Sequence, residues 1–242
     1  MKIDVFYTPL GLNAGDLTGR AVVVIDVLRA TSTIVMALSA GARAVVPAAS
    51  SEEAVRLTSN LEKNGIVLAG ERRMLKIEGF ALGNSPREMT PEAVGGKTLF
   101  LATTNGTPAL LAAQGGDPVL VAAALNFSAV AERARTLFTE RGELVVICAG
   151  REKQFALEDA YTAGRLIKAV KKGVPPKKLV LNDAAQVSLD LAAQQGGWLD
   201  AFGASGAARQ LSEVGLGEDV KFCAQPDKLA IVPVYADRRI AA

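Results

Sequence analysis

Val22-Val23-Val24-Ile25-Asp26-Val27-Leu28-Arg29-Ala30-Thr31-Ser32-Thr33 is the stretch around which the rest of the chain is organised. Its β-branched, uninterrupted apolar run reads as a fully buried strand, and it ends at a carboxylate, an arginine and a row of small hydroxyls that open an amphipathic segment. A buried strand that delivers polar groups into a strand-to-helix turn is the working unit of open α/β sheets, whose ligands bind at the carboxyl ends of the strands. The chain repeats the device. Ile66-Val67-Leu68-Ala69 runs into Gly70-Glu71-Arg72, and Thr98-Leu99-Phe100-Leu101 into Thr103-Thr104-Asn105-Gly106-Thr107. Residues 119–125 lead to Asn126, and Leu144-Val145-Val146-Ile147 to Gly150-Arg151.

Working outward, a strand is expected over 2–7, a Gly- and Asn-rich loop over 9–19, and a helix over 31–40 closed by Gly41. Further strands are expected over 44–47, 66–69, 97–102, 118–123, 143–148 and 179–181. Helices should fill the gaps over 50–64, 109–114, 126–141, 156–172 and 182–195, the first through a Ser50/Glu53 capping-box spacing. Residues 72–91 lose periodicity and are punctuated by Gly79, Gly83, Asn84, Ser85, Pro86 and Pro91, so they read as an ordered, functional loop. Short helices over 198–202 and 207–214 and closing strands over 220–224 and 229–235 complete the pattern. Strands alternating with helices imply an α/β fold, a three-layer α/β/α arrangement around a largely parallel or mixed central sheet. Residues 1–242 read as one domain, with room for two lobes flanking a cleft.

The composition removes many functions. None of the 242 residues is histidine, which excludes a Ser-His-Asp triad, histidine-based phosphatases and the usual zinc sites. Cys148 and Cys223 are too few and too far apart for a metal cage or a redox pair, and their apolar surroundings suggest core residues. Basic and acidic residues nearly cancel, 27 against 25, and no basic stripe with interleaved aromatics suggests a nucleic-acid partner. The lysine pairs at 171–172 and 177–178 read as a solvated helix end. No apolar run approaches the roughly 20 residues that span a bilayer. The early acid Asp4 and the missing apolar leader run argue against a secretory signal, so a cytoplasmic protein is expected, with no membrane partner. Oligomeric state is left open, a homo-oligomer included.

The groups gathered at the strand ends suit a small anion. The Thr103–Thr107 segment precedes a helix and the Thr31-Ser32-Thr33 row starts one, and at a helix start free N–H groups and the dipole favour phosphate or carboxylate. Arg29 can fork onto two oxygens of an oxyanion. Asp26 and Glu71, with Glu158 and Asp159, supply the hard oxygens that magnesium prefers. Each residue also has a structural reading: Asp26 as a helix cap, Glu71-Arg72 as an ion pair, Asn105-Gly106 as a turn, Glu158-Asp159 as charges favouring a helix start. Familiar signatures fail. Gln154 stands where a C-x5-R phosphate cradle needs arginine, and Leu28 where a two-aspartate phosphatase needs its second acid. There is no GxxxxGK[ST], no GxGxxG, and no complete nucleophile elbow at Ser205.

Taken together, residues 24–33, Ala69-Gly70-Glu71-Arg72, Gly79-Phe80-Ala81-Leu82-Gly83-Asn84-Ser85-Pro86, residues 103–107, Cys148-Ala149-Gly150, Leu157-Glu158-Asp159 and the tail from Cys223-Ala224-Gln225 to Pro233 resemble the 2-phosphosulfolactate phosphatase (ComB-like) family. The resemblance implies the α/β/α fold of that family and a magnesium-dependent phosphatase that converts 2-phospho-3-sulfolactate to 3-sulfolactate and phosphate, a coenzyme M biosynthesis-type step. It assigns catalytic work to Asp26, Arg29, Glu71 and Asp159. It implies substrate binding by Asn84, Ser85, Asn105 and Thr107, to which the strand-end reading adds Thr31, Ser32, Thr104 and Gly106, and Mg²⁺ is expected on Asp26 and Glu71 or on the Glu158-Asp159 pair. Ala81 stands where the family usually has aspartate, and Ser205-Gly206-Ala207 where relatives tend to carry a histidine motif. The alternatives are a metal-dependent hydrolase or lyase on another small phosphorylated or carboxylated acid, and a non-catalytic anion-binding relative.

Overall fold

A computed structural model describes residues 1–242, apart from the side chain of Ala14. In chain order its strands are β1 (Lys2–Phe6), β2 (Ala21–Ile25), β3 (Ala44–Ala48), β4 (Ile66–Arg72), β5 (Leu75–Lys76), β6 (Thr98–Ala102), β7 (Val119–Ala122), β8 (Glu143–Cys148), β9 (Val180–Leu181), β10 (Val234–Ala236) and β11 (Arg239–Ala241). Its helices are α1 (Ala30–Ser39), α2 (Ser51–Thr58), α3 (Pro91–Val94), α4 (Gly106–Ala112), α5 (Phe127–Arg141), α6 (Leu157–Val170), α7 (Asp183–Gln194), α8 (Trp198–Gly203), α9 (Gly206–Glu213) and α10 (Gly217–Cys223).

The unbroken apolar strands are explained by what lies on each face. Side chains of a strand alternate between faces, and in β2 Ala21, Val23 and Ile25 enter one core while Val22 and Val24 enter another. The first core is closed by Phe138 of α5, Tyr161 and Ile167 of α6, Trp198 and Phe202 of α8, and Leu211 of α9. The second is closed by Ile34 and Ala37 of α1 and by Ala109 and Leu110 of α4. Cys148 and Cys223 are both buried in the first core and unpaired, as expected. Helices thus cover both faces of a mixed sheet, the α/β/α architecture expected from the strand–helix alternation.

The strand order is β5-β4-β6-β3-β11-β10-β7-β2-β8-β1-β9. Two parallel blocks, β7-β2-β8-β1-β9 and β3-β6-β4, are joined through a C-terminal hairpin whose three pairings (β10 on β7, β11 on β10, β11 on β3) are all antiparallel. This corrects the expectation that parallel strands would line their ends along one rim. Three antiparallel steps in a flat sheet would send β2 and β6 to opposite rims. The ends nevertheless meet: Val22 and Val24 of one block and Leu99 and Leu101 of the other share a single core with α1 and α4, and Gly106 lies against Asp26.

Other expectations need correction. Residues 220–224 form no strand, because Val220 and Cys223 are buried at helical spacing while Glu218 and Lys221 pair at 2.7 Å on the outer side of α10. Of 229–235, only Val234 and Tyr235 join a strand. The hairpin that follows turns at Asp237 and Arg238, with φ of 48° and 58°; two positive φ values are the signature of a type I′ turn. The helix from Ser51 stops at Thr58, ahead of a separate 3₁₀ turn at Lys63–Gly65. The loop after Arg72 contains β5, a 3₁₀ turn at Pro86–Glu88 and α3.

Candidate active site

A cleft of about 280 Å³ lies where the strand ends meet, lined by Asp26, Arg29, Glu71, Asn84, Thr104, Asn105 and Arg151, among others. Asp26 follows β2 and is nearly covered, at 8% exposure. Its turn is tied down by its own helix start. Thr31 Oγ1 donates to the Asp26 carbonyl at 2.8 Å, Ser32 Oγ to the Val27 carbonyl at 2.8 Å, and Thr33 Oγ1 to the Asn84 carbonyl at 2.9 Å. The hydroxyl row therefore builds the turn; Thr31 and Ser32 are fully buried and face backbone, not the cleft.

Two glycines set the close approaches. A side chain at Gly106 would strike the Asp26 carboxylate and the Ala30 methyl, so only glycine lets the α4 start lie against Asp26. One at Gly70 would strike the Ala102 carbonyl, so glycine lets the end of β4 lie against β6. There Glu71 accepts the Thr104 N–H at 2.7 Å and the Met74 N–H at 2.9 Å. Thr103 and Thr107 N–H groups are also taken internally, each by the other's hydroxyl. Three of the five N–H groups in the expected anion loop are thus occupied within the protein. Asn105 Oδ1 accepts the Glu152 N–H at 3.0 Å, and Thr107 is buried.

Behind Asp26, at the start of α6, Glu158 and Asp159 are buried and do not line the cleft. Asp159 accepts the Val27 N–H at 3.0 Å and the Gly150 N–H at 3.2 Å, clamping the ends of β2 and β8 together. Burial raises the carboxyls of all three groups. Asp26 is pushed up to about 7, by burial first and then by the neighbouring charge of Glu71, and Asp159 rises well above its usual value, by burial and then by Asp26 and Glu158. Burial also raises Glu158, against the opposing effects of Ser205 and Arg151.

The arginine is less free than expected. Arg29, 3% exposed, donates through Nη1 to Asp219 at 2.7 Å and through Nη2 to the Met74 carbonyl at 2.9 Å. Ser85 donates to the other Asp219 oxygen at 2.7 Å, so it serves this buried ion pair and does not line the cleft. Asn84 does line it, and its Oδ1 is buried without a hydrogen-bond partner.

Of the expected site residues, the cleft gathers Asp26, Arg29, Glu71, Asn84, Thr104 and Asn105, while Gly106 shapes it. Sequence reasoning missed Arg73, Met74, Glu152, Gln210 and Glu213 on its walls, and Asp219 behind it. Arg151 had been noted only as a strand end. Asp219 offers no sequence signal, because it falls between expected elements, just before the 220–224 segment.

The fold and this cleft define an α/β/α protein whose strand ends bring two buried carboxylates and the buried Arg29 to one small cleft. A model of the 2-phosphosulpholactate phosphatase family matches residues 6–238. A protein named "Probable 2-phosphosulfolactate phosphatase" from Caldanaerobacter subterraneus subsp. tengcongensis is 39% identical over 234 residues, covering 96% of this chain and 95% of its own. Proteins of the same name from Symbiobacterium thermophilum and Clostridium tetani are 38% and 35% identical over 228 and 235 residues, covering 94% and 97% of this chain and 96% and 97% of their own. The chain belongs to the 2-phosphosulfolactate phosphatase family.

Proposed function

We propose that this protein is a phosphoric monoester hydrolase that releases phosphate from 2-phospho-3-sulfolactate with the help of Mg²⁺, working in the cytoplasm at a coenzyme M biosynthesis-type step. The observation that carries the reading is Asp26: a buried carboxyl on the wall of a small cleft that also holds Glu71, with the start of α4 packed against it at Gly106. With no histidine in the chain, a carboxyl is the group suited to proton transfer.

The donor set fits a hard cation. Asn84 lines the same cleft as Asp26 and Glu71 and keeps a buried oxygen without a hydrogen-bond partner, and Arg29, the buried arginine of that cleft, is already paired with Asp219. No group of three His, Cys, Asp or Glu side chains among the described residues is arranged to hold a metal by itself. Magnesium does not require one, since it keeps waters and takes one or two carboxylates plus phosphate oxygens. Asp26 and Glu71 would hold it, with Asn84 beside them, and the ion supplies neutralisation of phosphoryl charge when bound.

The protein's own groups do the rest. Arg29 has N–H groups beyond the two it spends on Asp219 and Met74, and these can hold an anionic oxygen. Asp26 can take a proton from water as it adds to phosphorus and return one to the departing ester oxygen. Behind it, Asp159 fixes the strand ends that carry Asp26 through the Val27 and Gly150 N–H groups.

The test is phosphate release from 2-phospho-3-sulfolactate, with and without Mg²⁺, by wild type and Asp26→Asn. Wild type is expected to turn over only with the metal, and the variant to lose on the order of 10²–10⁴-fold in kcat while staying folded. Wild-type turnover by the variant would overturn the reading.

A further inference from the structure

The most completely built feature outside the expected residues is the carboxylate of Asp219. It is 1% exposed and comes from α10, 190 residues along the chain from Arg29, whose Nη1 it accepts at 2.7 Å. Its second oxygen takes the Ser85 hydroxyl at 2.7 Å, and the half-exposed Arg87 guanidinium stands 4.0 Å away. Arg29 is gripped again by the Met74 carbonyl at 2.9 Å. The guanidinium is thus fixed from two sides while it lines the cleft that holds Asp26 and Glu71.

An arginine beside two carboxylates would ordinarily collapse onto them. Here a third carboxylate outcompetes both, and because a guanidinium is a rigid planar fork, holding two of its N–H groups sets the direction of the others. We propose that Asp219 is a positioning residue of this site: it holds Arg29 away from Asp26 and Glu71 and presents the unspent guanidinium N–H groups to an anionic ligand. This rests on the functional reading above only in taking that ligand to be a phosphoryl group.

A buried ion pair could also serve stability alone, and the two roles separate in a double-mutant cycle of Asp219→Asn and Arg29→Gln. The readouts are the dissociation constant for inorganic phosphate by calorimetry, the thermal midpoint, and KM and kcat on the phosphoester. Asp219→Asn is expected to weaken phosphate binding and raise KM about tenfold, with a smaller change in kcat. In the Arg29→Gln background it should add no more than about twofold. The double variant, which carries no unpaired buried charge, should recover thermal stability relative to either single variant but not phosphate affinity. If Asp219→Asn alone does not fold, Asp219→Glu, which keeps the charge but shifts the carboxylate, takes its place in the cycle and is expected to weaken phosphate binding and raise KM in the same direction.

Wild-type phosphate affinity in Asp219→Asn, full additivity with Arg29→Gln, or affinity that recovers together with stability would each overturn the proposal. So would a wild-type protein that does not bind phosphate. A wild type that binds phosphate through a coupled Arg29–Asp219 pair yet releases none from 2-phospho-3-sulfolactate would sink the functional reading and leave Asp219 in its role.

Discussion

Asp26 illustrates how much chemistry a residue inherits from neighbours distant in sequence. Its place at the end of an apolar strand is legible from residues 22–26 alone, and so is the hydroxyl row that follows. The use of that row is not legible, because Thr31 and Ser32 bond to backbone carbonyls inside their own turn, a choice fixed only when the chain folds back on itself. Asp159 is a similar case: chosen as a metal or catalytic acid, it spends both oxygens on the backbone of β2 and the β8 turn. Gly106 was read as part of a turn dipeptide, yet its lack of a side chain makes room for the Asp26 carboxylate. The prediction follows from steric size. Gly106→Ala should force Ala30 and Asp26 apart, costing about 1–3 kcal/mol of stability and most of the phosphatase activity. Urea denaturation and phosphate release measure the two effects, and a variant with wild-type midpoint and turnover would show that the contact is slack.

At the level of elements, the buried strands and long helices were legible because burial on two faces and the 3.6-residue period leave strong patterns. What escaped was short, or depended on partners. The segment of α10 has an apolar run, Val220 to Ala224 interrupted by Lys221, that reads as either strand or helix until its packing is known. The hairpin of β10 and β11 has no Asn-Gly to announce its turn; Asp237-Arg238 adopts the same two positive φ values without that signature. Yet this hairpin is what splices the two parallel blocks. Its grip on β3 comes from β11, where Ile240 pairs with Val45 and is fully buried in the core shared by both blocks. Ile240→Ala should therefore cost about 2–5 kcal/mol, although it sits in a strand of only three residues. Calorimetry tests this: a midpoint unchanged from wild type would mean that the blocks hold together without the splice.

For the whole molecule, the signs of the carboxyl shifts set how stability varies with pH. Asp26, Glu158 and Asp159 are raised in the fold. The stability they contribute is complete below their unfolded values near pH 4 and is lost as pH rises through their folded ones, about 7 for Asp26. Asp4 and Glu53 act in the opposite direction. Burial pushes Asp4 up, but hydrogen bonds from Arg20 and Lys2 outweigh it and hold the group below its usual value, and the Ala49 N–H and Arg238 do the same for Glu53. Their stabilisation is present above about pH 4 and fails only as pH falls further. Without metal, the thermal midpoint should therefore be highest near pH 4–5 and fall towards pH 8, which is unusual for a protein with balanced charge. A cation that binds the folded cleft stabilises it by mass action, about 2.7 kcal/mol at a hundredfold excess over its dissociation constant. Millimolar Mg²⁺ is thus expected to raise the midpoint at pH 8 far more than at pH 5, where protons already compensate the carboxyls. Asp26→Asn should both flatten the pH dependence of the metal-free protein and blunt the response to Mg²⁺. Scanning calorimetry in chelator and in Mg²⁺ at the two pH values decides the matter. A metal-free midpoint that stays level from pH 5 to 8 would mean that the cluster around Asp26 is not strained by its own charge, and equal Mg²⁺ responses in wild type and Asp26→Asn would place the cation elsewhere.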